Sequence, residues 1–331
     1  MTHGAGGRAT RRLIDELLRP RFANPLLDVL GDAAILDRPG ERLAFTTDSF
    51  VVHPLRFPGG SIGELAVNGT INDLAVSGAR PLALTTAFIL EAGLPIDTLQ
   101  REIDSAARAA AAAGVPIVGG DTKVVEAGRA DGLYLCTSGL GVVDPRAQLG
   151  PRFVRPGDRV LLSGPIGDHG ITILVARAAL ELVSDELRSD TRNLAPLTLA
   201  LLDACGPQLR WMRDATRGGV ATVLNELAGA AGVAIELHDD ALPVRPVVRG
   251  ACELLGLDPL HVANEGQFVA IVSRDAAEHA LTQLRATPGG EHAVDVGEIV
   301  GGPPGQVRSV TPYGGRRAID VLVGDPLPRI C

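Results

Sequence analysis

The chain changes character once along its length, between about residues 144 and 157, where Pro145, Pro151 and Pro156 fall among Arg146, Arg152 and Arg155. Proline fixes φ and removes a backbone donor, so neither a helix nor a central strand runs through such a stretch. On each side of it, apolar runs of strand length alternate with helical patterns. Two alternating halves in 331 residues are too much for one ordinary core, and they predict two α/β domains, with mixed sheets allowed by the pattern. In the first half strands are expected at Ala33–Leu36, Leu43–Thr47, 82–90, from Val115 and at 133–143. Ser61-Ile62-Gly63-Glu64 is a capping box opening a helix to about Val76, and an alanine-rich helix covers 97–113. Leu13, Ile14, Leu17 and Leu18 give a further helix over 8–18. In the second half strands are expected at 159–163, 233–237, 267–273 and 294–300. Helices are expected from about 170, at 195–204, from Gly219 to Leu227, at 246–255 and at 275–286.

Composition excludes several partners. With 31 basic and 39 acidic residues the formal charge is −8, which repels a nucleic-acid backbone, and aromatics at 3% leave few stacking platforms. No apolar run reaches the roughly 20 residues needed to span a bilayer. Met1–Arg8 lacks the apolar stretch of a signal peptide, so a cytoplasmic protein is expected. The cysteines, Cys136, Cys205, Cys252 and Cys331, are far apart, which speaks against a zinc site. Cys136 and Cys252 sit in apolar runs and read as small buried hydrophobes. Cys331 lacks that explanation. It follows Gly324-Asp325-Pro326-Leu327-Pro328-Arg329-Ile330, an extended arm that is either disordered or a carrier for a thiol.

Asp32, Asp48, Asp73 and Asp121 each lie beside or within an apolar element. Singly, such residues are turn formers or helix caps. Converging, they would repel one another unless a cation sat among them, and carboxylate oxygens are what magnesium prefers. Neither G-x-x-x-x-G-K-[ST] nor a G-x-G-x-x-G after a strand is present, so a nucleotide would need another scaffold. Arg217-Gly218-Gly219 at a helix start is either a plain helix entry or an anion cradle. Lys123 and Asp121 point to one side of an extended segment. Lys123 is a surface lysine or a phosphate contact, and Glu265, just before an apolar strand, is a turn residue or a general base. The glycines of His3-Gly4-Ala5-Gly6-Gly7 form a flexible leader or allow a close approach to a ligand.

Taken together, these stretches resemble the hydrogenase maturation factor HypE family. That family belongs to the ATP-binding superfamily of aminoimidazole ribonucleotide synthetase, thiamine-monophosphate kinase and selenophosphate synthetase. The resemblance runs through His3–Gly7, Thr47-Asp48-Ser49-Phe50, Phe57-Pro58-Gly59-Gly60 and Asn72-Asp73-Leu74-Ala75. It continues through Gly119-Gly120-Asp121-Thr122-Lys123, Arg213–Gly219, Ala263-Asn264-Glu265-Gly266 and, most specifically, Leu327-Pro328-Arg329-Ile330-Cys331.

The resemblance implies a two-domain α/β architecture of α+β type with mixed sheets. Residues 1–150 would form an ATP-binding and dimerisation domain, 151–315 a second domain and 316–331 a mobile tail. It implies ATP and Mg2+ as cofactors. Asp32, Asp48, Asp73 and Asp121 would hold metal, and Gly4, Gly6, Gly7, Asn72, Thr122 and Asp214 would join them around the nucleotide. Cys331, Lys123 and Glu265 would be catalytic, with the base left open between Lys123 and Glu265. The implied reaction is ATP-dependent dehydration of a carbamoyl group on Cys331 to a thiocyanate, the cyanide source for nickel–iron hydrogenase. The implied partners are a second copy in a homodimer, a HypF-type carbamoyltransferase and a HypC–HypD complex as cyanide acceptor. Thr287 stands where the family has a histidine, with His292 offset by several residues. The competing readings are another small-molecule kinase or synthetase of the superfamily, and a non-catalytic carrier.

Overall fold

The computed structural model describes residues 8–22, 24–29, 31–177, 186–322 and 330–331. Gly4, Gly6 and Gly7 lie outside the described residues, as do 323–329 of the expected tail. The N-terminal segment is helical as expected but not as one plain helix. α1 (Arg8–Arg12) and α2 (Arg19–Phe22) flank π-type turns over Leu13–Leu18, and Leu18 stays 37% exposed.

The first domain holds β1 (Ala34–Arg38), β2 (Glu41–Phe50), a short ribbon of β3 (Arg56–Phe57) and β4 (Gly60–Ser61), α3 (Ile62–Val76) and β5 (Ala79–Glu91). α4 (Ile96–Ala113), β6 (Ile117–Val125) and β7 (Leu133–Val143) complete it. Its five-stranded sheet has the order β1-β2-β7-β5-β6, antiparallel except for the parallel β5–β6 pair. The second domain holds β8 (Arg159–Leu162), α5 (Asp168–Ala176), α6 (Ala195–Cys205), β9 (Leu209–Asp214), α7 (Gly219–Ala231), β10 (Ala234–His238) and α8 (Pro246–Leu255). β11 (Phe268–Val272), α9 (Ala277–Ala286), β12 (Val294–Val300), β13 (Val307–Val310) and β14 (Arg316–Ala318) follow. Its seven strands run β14-β13-β10-β12-β8-β11-β9, again mixed. The first residues of the expected tail, Arg316–Ala318, therefore pair with β13 as a sheet edge.

Helix α3 positions the site. Ser61 caps it by accepting from the Glu64 N–H (3.5 Å), as the capping box requires. All its residues are buried except Glu64 and Asp73. A helix apolar all round must be covered on every side. α3 rests on β2, β5 and β7 of its own sheet, on α4, and on α6 and β9 of the second domain. At Gly63 an added Cβ would come 2.1 Å from the Glu102 carbonyl oxygen, so glycine lets α3 and α4 approach. The other face of the first sheet is open, with Phe45 48%, Leu82 46% and Leu140 37% exposed and Phe45 directly opposite Leu140.

Candidate active site

Strand alternation decides which aspartates meet. Along β2 the residues Ala44, Thr46, Asp48 and Phe50 face α3 while Phe45, Thr47 and Ser49 face away. Asp48 thereby meets Asp73, which α3 presents from its last turn. Asp32, just before β1, and Asp214, at the end of β9, approach from either side, and oxygens of Asp32, Asp73 and Asp214 lie within 4.8 Å of one another. Thr46 Oγ1 stands 2.7 Å from Asp73 Oδ2 and 2.8 Å from the Asp32 carbonyl oxygen. One hydroxyl hydrogen cannot serve both acceptors, so the bare cluster is satisfied when Asp73 itself carries a proton.

Electrostatics agree. Burial, then the neighbouring Asp48, Asp214 and Asp32, push the Asp73 carboxyl well above the usual range. Burial with Asp32 and Asp48 does the same to Asp214, and burial raises Asp48 against the pull of Arg217. Arg213 partly offsets the crowding by donating to Asp32 Oδ1 at 2.7 Å and Glu226 Oε2 at 2.6 Å. Asp32, Asp73 and Asp214, three converging carboxylates, are a fit for a divalent cation bound through oxygen.

Two of the expected participants lie elsewhere. Across the sheet, Asp48, Thr137, Thr86 and Gly120 form one row, and Asp121 belongs to the adjacent row, on the opposite face. Asp48 and Asp121 are three strand spacings apart, about 14 Å. In a single chain Asp121 therefore does not join the other three aspartates, contrary to the convergence expected from the sequence. It pairs with Lys123 (2.9 Å), and both side chains are well exposed. Thr122 donates its N–H to Asp121 Oδ1 at 2.8 Å. This β6 segment lines a 560 Å³ hollow with Thr86, Phe88 and Ile103.

Asn72 is spent on joining the domains. Its Nδ2 donates to the Arg192 and Glu265 carbonyls (3.0 and 3.2 Å), and its Oδ1 accepts from the Leu194 N–H (2.8 Å). It thus supports the site, and both of its amide hydrogens are already used. Thr287 ends α9, its hydroxyl donating to the Gln283 carbonyl. Cys252 is buried as expected, but Cys136 is half-exposed, because it faces the open side of the sheet opposite Ser49.

Into this site comes Cys331. Its carbonyl accepts from the Val51 N–H at 3.0 Å, and its thiol lies against Arg217, with Glu265 and Asp48 next nearest in effect. Burial pushes the thiol up to about 11, against the pull of Arg217. Glu265 is buried, its Oε1 has no hydrogen-bond partner, and burial with Asp214 and Asp190 raises its carboxyl well above the usual range. Gly218 (φ 72) and Gly219 (φ 60) make the turn that carries Arg217, and a Cβ on Gly219 would lie 2.5 Å from the Leu260 carbonyl oxygen. The sequence left this helix start open between a plain entry and a backbone anion cradle, and the Gly219 N–H already donates to the Thr216 carbonyl (3.1 Å). The part of this turn that reaches the thiol is the Arg217 side chain, which sequence reasoning missed.

Residues 30–143 match the family model for the AIR synthase related protein N-terminal domain, and 155–309 match its C-terminal domain. The carbamoyl dehydratase HypE of Azotobacter vinelandii is 50% identical over 331 residues, covering 100% of this chain and 96% of that protein. The chain belongs to the HypE family. HypE of Escherichia coli K12 is 49% identical over 336 residues, covering 100% of this chain and 98% of that protein. A solved hydrogenase maturation protein HypE in complex with ATP matches with a TM-score of 0.84 and 45% identity, over 99% of this chain and 98% of that one. A HypE–HypF complex matches with a TM-score of 0.89 and 44% identity, over 94% of this chain and 99% of the matched one. Thiamine monophosphate kinase of Aquifex aeolicus shares the fold (TM-score 0.70, 19% identity, 92% of this chain and 100% of that one). The mixed α/β two-domain architecture is that of HypE.

Proposed function

We propose that the chain is an ATP-dependent carbamoyl dehydratase that converts a carbamoyl group on Cys331 into a thiocyanate, supplying the cyanide ligand for nickel–iron hydrogenase. The observation that carries this reading is the placement of the Cys331 thiol against Arg217, within electrostatic reach of Glu265 and of Asp48 in the acidic site. A carrier needs no such cluster, and a small-molecule kinase needs no cysteine delivered to it.

The carbamoylated thiol is a primary amide, from which hydroxide leaves poorly. Its oxygen attacks the γ-phosphorus of ATP and ADP leaves. One N–H proton passes to Glu265, and the second departs with phosphate as the C–O bond breaks, giving S–C≡N. The amide oxygen ends in phosphate, so atoms and protons balance. Glu265, buried among carboxylates and with an unpartnered Oε1, holds a proton more tightly than an ordinary carboxylate does, which is what the acceptor in this step requires. Arg217 stabilises negative charge beside the sulfur. Asp32, Asp73 and Asp214, with Asp48 adjacent, would hold Mg2+, which when bound offsets the phosphate charge.

Asp121, Thr122 and Lys123 fit the nucleotide site of a second copy in a homodimer. The exposed β6 edge and the open apolar face around Phe45 and Leu140 support that assignment. Residues 1–150 would then be the nucleotide-binding and pairing domain, and 316–331 the segment that brings Cys331 in. A HypF-type carbamoyltransferase loads the cysteine and a HypC–HypD complex receives the cyanide, in the cytoplasm. No described helix is long and apolar enough to cross a membrane.

The test is mass spectrometry of the peptide bearing Cys331 after incubation with the carbamoyltransferase, carbamoyl phosphate and ATP. Carbamoylation followed by ATP-dependent loss of one water is expected. ATP consumption with an unchanged carbamoylated peptide would refute the proposal.

A further inference from the structure

His169, the second residue of α5, is fully buried and takes no part in the chemistry above. Its Nε2 lies 2.9 Å from the Ile330 carbonyl oxygen, and its Nδ1 lies 2.8 Å from Ser189 Oγ. A carbonyl only accepts, so Nε2 carries the hydrogen. Nδ1 must then accept, and the Ser189 hydroxyl donates to it, while Ser189 Oγ accepts from the Thr191 N–H at 3.1 Å. The Ile330 carbonyl thereby selects the tautomer, and Ser189 supplies the donor that the free Nδ1 lone pair then needs. Burial keeps the ring neutral, pushing its pKa down to about 4. Phe57 meets the ring edge-on, with centroids 5.5 Å apart at 87°.

The Ile330 side chain, 4% exposed, packs in the cluster that joins Phe57 and Ile62 of the first domain to Ile171, Val248 and Val262 of the second. The Val51 N–H holds the Cys331 carbonyl at 3.0 Å. The carbonyls on both sides of the Cys331 Cα are therefore fixed, and rotation about Cα–Cβ is what remains to place the sulfur.

We propose that His169, with Ser189 donating to its Nδ1, is a positioning residue that latches the Ile330 carbonyl and so holds Cys331 in the acidic site. The link to dehydration rests on the function proposed above, but the latch itself is read by the accessibility of Cys331, whatever the chemistry. The experiment measures alkylation of each cysteine by iodoacetamide, resolved by mass spectrometry on the full-length protein, together with thermal unfolding.

Loss of one hydrogen bond in His169→Leu should raise the Cys331 alkylation rate about fivefold. His169→Gln retains a donor near Nε2 and should stay within about twofold of the parent. Ser189→Ala, which leaves Nδ1 without its donor and the ring less firmly held, should fall between them. Ile330→Ala, which empties the apolar socket, should raise the rate by about thirtyfold or more. Cys136, Cys205 and Cys252 should alkylate at the parent rate throughout. Equal Cys331 rates in parent and His169→Leu would overturn the latch. So would a rise shared by all four cysteines with a lowered Tm, since that would make His169 merely structural.

Discussion

The protein holds two acidic groupings of opposite character on the two faces of one sheet. On the α3 face, half-buried Asp48 and Asp73 join half-buried Asp32 and buried Asp214 in a crowded group, with the Asp48, Asp73 and Asp214 carboxyls raised by desolvation and mutual repulsion. On the open face, Asp121 is exposed and its carboxyl is lowered by hydrogen bonds from Lys123 and the Thr122 N–H. The inner group stores repulsion that a cation would relieve. The outer pair is already neutralised and gains little from a metal of its own. The difference shows that acidic residues beside apolar elements are not equivalent: the face decides whether a carboxylate belongs to this chain's site or is offered to another molecule.

The comparison is tested most severely at the thiol. Cys331→Ser keeps the fold and should abolish dehydration altogether, read as the absence of thiocyanate formation. Dehydration persisting there would mean that the inner group serves another substrate.

Next, Asp73→Asn should lower ATP-dependent turnover by about a hundredfold or more, while raising the stability of the metal-free protein by about 1–2 kcal/mol, because an amide needs no proton drawn from solution to sit in this site. Turnover and chemical denaturation on the same sample give both readings. The opposed signs distinguish a functional cluster from a structural one, where loss would go with instability.

Lys123→Ala should cut turnover by roughly tenfold to a hundredfold and leave Tm within about a degree, because the exposed Lys123–Asp121 pair contributes little to folding. Mixing this variant with Asp73→Asn should recover part of the activity if each copy lends its outer pair to the other's inner site. No recovery would place Lys123 outside the shared site.

The smallest effect concerns pH. Asp48, Asp73 and Asp214 have pKa values raised on folding, so the folded state binds more protons than the unfolded one. Their stabilisation is fullest below the ordinary aspartate value and is lost as pH rises through the folded values. In chelator, stability should therefore fall with rising pH over that window, and added Mg2+ should flatten the slope. A slope unaffected by Mg2+ would show that these groups do not hold the cation.

Much of this was legible from the residues, and the parts that were not have physical reasons. Helix α3 announced itself through Ser61 and Glu64, because capping is local. Strand β9 did not. Arg210 and Arg213 make Leu209–Asp214 read as polar, yet Arg213 reaches Asp32 and Glu226, partners far away in sequence. That Asp121 and Lys123 share a face followed from a period of two. Which face they share depended on cross-strand register, set by the whole sheet. Leu13–Leu18 had helical spacing, but their turns are π-type and Leu18 is not covered. His169 gave no signal, since its partner at Ile330 is 161 residues away.

The central claim is that the carbamoyl oxygen on Cys331 is phosphorylated in the inner acidic site. It is tested most directly by loading Cys331 with a carbamoyl group carrying heavy oxygen and following a single turnover with ATP. The account predicts the label in inorganic phosphate, one atom per thiocyanate formed. Label released into water instead, with unlabelled phosphate, would contradict it.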